Sequence, residues 1–245
     1  MNGSNTNKPH TIETIIHAAL TVTRPTTAPT ERTNAGAFLE NWSESLDSFE
    51  DYIHLLQLFC SEKYAQLEQN VGSTDALSVK LLIGTMFYQK CRCDFTRLLG
   101  VSDASTNLGV TTSLMNATAA SLAYESKNDQ DFQKPSLFVT QLCASTAAIA
   151  VQRGEISVKE LVTSCAVIVI QNTAASSTMS RGVALQILTM LPAEVQESTN
   201  LRFQEKDHLT KVVLTQGVWV SHVIPSILIS LSTAGGVAFA LKLLG

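Results

Sequence analysis

The sequence predicts an all-α fold built from helices taken in pairs. Breakers are scarce, with 12 Gly and 6 Pro among 245 residues, so long stretches run without interruption. Leu, Ala, Gln, Glu and Met fill those stretches, and these side chains lose little freedom in a helix. Apolar residues return at three- and four-residue spacing in one segment after another, the period of a helix with one buried face. Hydrophobic residues make up 45% of the chain and charged ones 16%, enough apolar surface to argue against disorder.

Residues 1–10 are polar and read as a flexible N-terminus. The first periodic stretch begins at Thr11, where Ile12, Ile15, Ile16, Ala19 and Leu20 fall on one face, and it ends near Arg24 and Pro25. The Thr- and Pro-rich segment TRPTTAPTERTN reads as a turn. A second helix is predicted from Ala35 to Leu46, with Phe38, Leu39, Trp42 and Leu46 inward, which closes a hairpin. Phe49, Tyr52, Ile53, Leu56 and Phe59 repeat the pattern, and after the polar break QNVGSTD a long helix is expected from Ala76 to Leu98. Further periodic stretches cover Leu114 to Tyr124, Leu137 to Val151, Val158 to Ile170, Val183 to Leu191 and His208 to Leu231. Each pair takes roughly 40–60 residues, near the spacing of HEAT and armadillo repeats, whose hairpins bury their faces against neighbouring hairpins. A tandem of four-helix bundles has the same periodicity.

Charge and cysteine usage narrow the function classes. A net charge of -4 and the absence of Lys or Arg runs disfavour direct nucleic-acid binding. Cys60, Cys91, Cys93, Cys143 and Cys165 form an odd set without CxxC spacing, as expected of reduced thiols in the cytosol or nucleus. The first ten residues lack the basic start and apolar core of a signal peptide. Val223 to Leu241 is uncharged and apolar enough to suggest a tail anchor, but Pro225 and the STAGG stretch interrupt it as two shorter buried helices would. Membrane attachment is therefore the weaker expectation. His10, His17, His54, His208 and His222 are scattered, with no HExxH, no paired Cys/His spacing and no phosphate loop nearby. Cys91 and Cys93 lie two apart on different faces of a helix and cannot easily share a metal. Neither an enzyme nor a cofactor is expected.

Four ordered blocks go further. AFLENWSESLDSFEDYIHLLQ carries an aromatic-Leu pair, Phe38 and Leu39, then Trp42, Ser45, Phe49, Glu50, Leu55, Leu56 and Gln57. FYQKCRCDFTRLL places Lys90, Phe95 and Leu98 at spacings of five and three, VTQLCASTAAIAVQ opens a small-residue helix after a Gln-Leu pair, and LQILTMLPAEVQ ends on a Leu-Pro-x-Glu-Val turn. Together they resemble the start of importin-β (karyopherin) family nuclear transport receptors, most closely the transportin-3 and importin-13 branch.

The resemblance implies a HEAT-like helical-repeat solenoid, an α-α superhelix. Residues 11–100 would hold the N-terminal, Ran-binding repeats and residues 101–245 further repeats ending mid-solenoid, with the apolar C-terminal stretch as the next repeats. It implies a non-enzymatic receptor that shuttles between nucleus and cytoplasm, with Ran-GTP, nucleoporins and protein cargo, SR-type splicing factors among them, as partners. Ran contact is implied on inner helices around 35–46, 76–98 and 137–151, with Glu40, Glu44, Gln89 and Lys90 as candidates where they face solvent. Phe38, Trp42, Phe49, Phe95 and Leu188 are expected in the inter-helix core. Two other classes compete: a viral all-helical nucleoprotein or matrix protein, and a tail-anchored membrane protein.

Overall fold

The computed structural model describes residues 11–45, 48–59, 62–93, 114–123, 136–170, 176–199 and 201–215. Among the described residues every regular element is a helix. In chain order these are α1 (Ile12–Thr23), α2 (Pro29–Glu44), α3 (Ser48–Phe59), α4 (Glu62–Val71), α5 (Ser73–Cys93), α6 (114–123), α7 (Leu137–Gln152), α8 (Glu155–Ile170), α9 (Ser176–Glu197) and α10 (Phe203–Thr215). The chain divides into two compact units, Met1–Ile83 and Gly84–Gly245, with the boundary inside α5.

In the first unit Thr11 caps α1 by accepting from the Thr14 N–H at 3.3 Å, which satisfies one of the free donors at the helix start. The apolar face of α1, Ile15, Ile16, Ala18, Ala19 and Leu20, is buried, and α1 packs on α2 and α3. α2 buries Leu39 and Trp42. The Trp42 ring lies 4.6 Å from that of Tyr52 between centroids, and its indole N–H donates to Asp51 Oδ2 at 2.8 Å, so the buried ring keeps its polar atom paired. At the α4 end, the Tyr64 hydroxyl donates to the Ala76 carbonyl at 2.5 Å. The Lys80 ammonium sits 4.3 Å above the Tyr64 ring and 3.6 Å from Glu68 Oε1. A lysine only 8% exposed is tolerated there because ring and carboxylate both face its charge.

The second unit is organised on α7, which packs on α8 and α9, while α10 packs on both of those. Ser136 caps α7 by accepting from the Val139 N–H at 3.2 Å. The buried hydroxyls of Ser145 and Thr146 donate to the Gln141 and Leu142 carbonyls at 2.8 and 3.0 Å. Satisfied within their own helix, they act as small spacers that let neighbours approach. Gly154, at φ 87, turns the chain from α7 into α8 in a left-handed conformation that favours glycine. Gly84 permits another close crossing, since a Cβ there would stand 2.6 Å from Gln141 Oε1 and 3.0 Å from the Phe138 ring. Leu122, Cys143, Val158, Cys165, Ile187 and Leu191 belong to one continuous core of this unit.

Several boundaries differ from the sequence expectation. The segment TRPTTAPTERTN is not all turn: α2 starts at Pro29, because proline at the first helical position lacks an N–H that would be unpaired anyway and is preset in φ. QNVGSTD is mostly helical, and the break reduces to Gly72 at φ 92, between a separate α4 and α5. α9 does not end on its Leu-Pro-x-Glu-Val element; it runs through Pro192 to Glu197. Leu191, Glu194 and Val195 are all buried there, and that packing outweighs the proline's local cost of roughly 3 kcal/mol. No helix among the described residues is long and apolar enough to cross a membrane; the expectations for Val223 to Leu241 and for residues 1–10 fall outside the described residues.

Candidate protein-binding surface

Charge is distributed unevenly along the chain. The stretch Met1–Ile83 carries ten acidic against five basic residues, and Gly84–Gly245 eleven against twelve. Around α1 and α2 there are two arginines, of which one is neutralised by a carboxylate and the other is turned onto the backbone. Arg24 Nε donates to Asp75 Oδ2 at 2.7 Å. Arg32 folds back onto the carbonyls of Arg24 and Pro25 at 3.0 and 3.1 Å. Glu13, Glu31, Glu40 and Glu44 make no ion pair among the described residues.

Glu40 and Glu44 stand one turn apart on the exposed side of α2, opposite buried Leu39 and Trp42, with exposed Ala37 and Asn41 beside them. Like charges at this spacing destabilise an isolated helix by roughly 0.2–0.5 kcal/mol. A cationic surface laid across them removes that repulsion and supplies the missing counter-charges. On a separate shoulder of the same hairpin lies a groove of about 530 Å³. It is walled by four residues of α1 from Thr14 to Thr21 and four of α2 from Glu31 to Phe38, each set at i, i+3, i+4 and i+7.

Comparison with family models, curated proteins and solved structures finds no match to the chain. The weight therefore rests on the residues themselves. Glu40, Glu44 and Gln89 are exposed, whereas Lys90 is 8% exposed. Lys90 fails the condition of facing solvent and drops out of the candidate surface: one residue past exposed Gln89, the helical rotation of about 100° carries it to the packed side. Glu40 and Glu44 fall in the first unit and Gln89 in the second. Trp42 and Leu188 are fully buried core. Phe38 is only half-buried and lines the groove. The side chains of Phe49 and Phe95 lie outside those described. Cys91 is buried and Cys93 exposed, on different faces as expected.

Sequence reasoning missed a polar cluster joining α5 to α9 in the second unit. The Tyr88 hydroxyl donates to Glu194 Oε1 at 2.6 Å. Arg92 Nε lies 3.6 Å from Glu194 Oε2, and Arg92 Nη2 lies 3.2 Å from Glu197 Oε2. The Gln152 amide from α7 donates to the Arg92 carbonyl at 2.6 Å. Burial pushes the Glu194 carboxyl up, against the hydrogen bond from Tyr88 and the charge of Arg92, while Glu197 adds to the rise. Burial also raises the Tyr88 phenol, and its hydrogen bond to Glu194 adds to that. The only sequence signal was the i, i+4 spacing of Tyr88 and Arg92, and it names no partner about a hundred residues away.

Proposed function

We propose that the chain is a non-enzymatic, HEAT-like helical scaffold that works as the N-terminal part of a nuclear transport receptor, binding Ran-GTP and protein cargo for import. The observation that carries this reading is the exposed face of α2, where Glu40 and Glu44 stand one turn apart with no ion pair among the described residues. Such a face suits a partner with a basic surface, since complementary charge steers encounter and fixes register. The ordered blocks that resemble karyopherins name the class of partner. The helix pairing of the second unit, with α7 on α8 and α9 and α10 on α8 and α9, supports the reading, since stacked hairpins also pack on their neighbours. A stacked array couples two partners when each fits a different curvature, so Ran-GTP releases import cargo by shifting that equilibrium.

The test is retention of the full chain on immobilised Ran loaded with a non-hydrolysable GTP analogue or with GDP. Retention is expected on the GTP form alone, and the Glu40→Lys/Glu44→Lys variant should weaken it about tenfold or more, as loss of two facing charge pairs allows. Equal retention on both nucleotide forms, or none on either, defeats the reading.

A further inference from the structure

The groove between α1 and α2 lies apart from the Glu40 and Glu44 face, and its shape and charge point to a different kind of contact. Each wall presents residues at i, i+3, i+4 and i+7, two helical turns or about 10 Å of length. Ala18 and Ala35 leave room between the walls, and the half-buried Phe38 ring supplies apolar surface at one end. Thr14 and Thr21 spend their hydroxyl protons on the Thr11 and His17 carbonyls of their own helix at 2.7 and 2.8 Å, so neither needs a partner from outside. An apolar stripe at the same spacing on an incoming helix has the right length and period to enter such a groove.

Charge selects among such helices. Among the described residues that line the groove, Glu31 is the one carboxylate and His17 the one basic side chain, and exposed Glu13 lies one helical turn before His17 on α1. Of the nearby cations, Arg24 is neutralised by Asp75, while Arg32 keeps its charge but turns its guanidinium onto the backbone carbonyls of the α1 to α2 connection, so the first unit's excess of ten acidic over five basic residues sets the field. A helix flanked by Lys or Arg gains from this field and an acidic one is repelled. A second copy of the first unit, with ten acidic against five basic residues, is a poor occupant for the same reason. We infer that the α1/α2 groove is a docking site for a basic amphipathic helix of a partner protein, with aliphatic anchors over Ala18, Ala35 and Phe38 and cations beside Glu31 and Glu13. This site does not depend on the Ran reading.

The probe is a fluorescent 18-residue peptide with Leu at helical i, i+3, i+4 and i+7 positions and Lys on its flanks, titrated by anisotropy against the full chain. A partner peptide carries Glu in place of Lys. The Lys peptide is expected to bind and the Glu peptide to bind at least about tenfold more weakly. Ala35→Trp fills the groove and should weaken the Lys peptide about tenfold. Glu31→Lys, an exposed change, should weaken it several-fold and improve the Glu peptide. Both variants should keep the helical signal and melting profile of the parent, and Glu40→Lys/Glu44→Lys should leave the Lys peptide bound. The inference is overturned if the two peptides bind equally, or if neither groove variant changes Lys-peptide binding. It is equally overturned if peptide binding is lost in Glu40→Lys/Glu44→Lys but kept in Ala35→Trp. A parent chain that dimerises and ignores the peptide, with Ala35→Trp monomeric, assigns the groove to self-association instead.

Discussion

α2 and α7 are both 16 residues long, yet α2 buries two of them and α7 eleven. The contrast separates two uses of a helix. α7 is a spine: residues from Phe138 to Val151 are covered on nearly every side, and its small residues Ser145, Thr146, Ala147, Ala148 and Ala150 are there because neighbouring helices come close. α2 buries Leu39 and Trp42 and leaves much of its remaining surface open to solvent, with Glu31, Glu40 and Glu44 in no ion pair among the described residues. A helix held by so few anchors has much surface to offer, which suits α2 rather than α7 to the proposed contacts.

If that contrast is right, truncating the α2 anchor should be the most damaging change. Trp42→Ala removes a fully buried ring, its contact with Tyr52 and its hydrogen bond to Asp51, and should cost about 3–5 kcal/mol. Hydrogen exchange should rise first in α1, α2 and α3. Leu188→Ala in α9, also fully buried, should cost about 2–5 kcal/mol and loosen α7, α8 and α9, whose shared core distributes the loss. A Trp42→Ala chain with unchanged exchange in α1 would mean that α2 has anchors beyond Leu39 and Trp42.

How far each region was legible follows from the same contrast. α1 and α7 were readable almost to the residue, because a one-sided stripe and a long apolar run are local signals. α2 was placed six residues late: its first two turns are PTERTN and AG, with no apolar period, and only Pro29 marks the start. The α4 helix was missed because EKYAQLEQNV has few apolar positions. Of the candidate contacts, Glu40 and Glu44 could be read from helical phase, since they lie opposite Leu39 and Trp42. Lys90 could not, because α5 has no clear polar face to phase it by. The Arg24 to Asp75 and Tyr88 to Glu194 pairs join residues far apart in sequence, and no local pattern encodes them. The groove escaped for the opposite reason, being made of Ala and Thr that read as filler.

The polar cluster on α5 and α9 sharpens the contrast at intermediate cost. Tyr88→Phe leaves buried Glu194, 6% exposed, without its 2.6 Å donor, and should cost about 1–3 kcal/mol. Glu194→Gln acts through pH. Burial raises the folded-state pKa of Glu194, so its contribution is fully present below the ordinary carboxylate range and is lost as pH rises through the folded value. The parent should therefore lose stability across that rise and the Gln variant should not, as read by denaturant midpoints at successive pH values. A Gln variant with the parent's slope would show that Arg92 fully compensates the buried charge.

Glu155 tests the same linkage with the opposite sign and the smallest effect. It stands in the first turn of α8, where the helix dipole favours a negative charge, with Lys159 Nζ at 2.5 Å and His208 Nε2 at 2.9 Å. The hydrogen bond from Lys159, then that from His208, lowers its pKa. Its contribution is present above the ordinary carboxylate range and is lost as pH falls through the depressed folded value. Glu155→Gln should therefore leave untouched the fall in stability that Glu194 causes above the ordinary carboxylate range, and reduce only the acid-side loss below that range. All three side chains are solvent-exposed, so salt should erase this difference while leaving the Glu194 effect in place, because screening reaches surface charges and not a buried carboxyl. A Glu155→Gln effect that survives high salt would mean that the α8 and α10 ends are packed more tightly than the exposed His208 indicates.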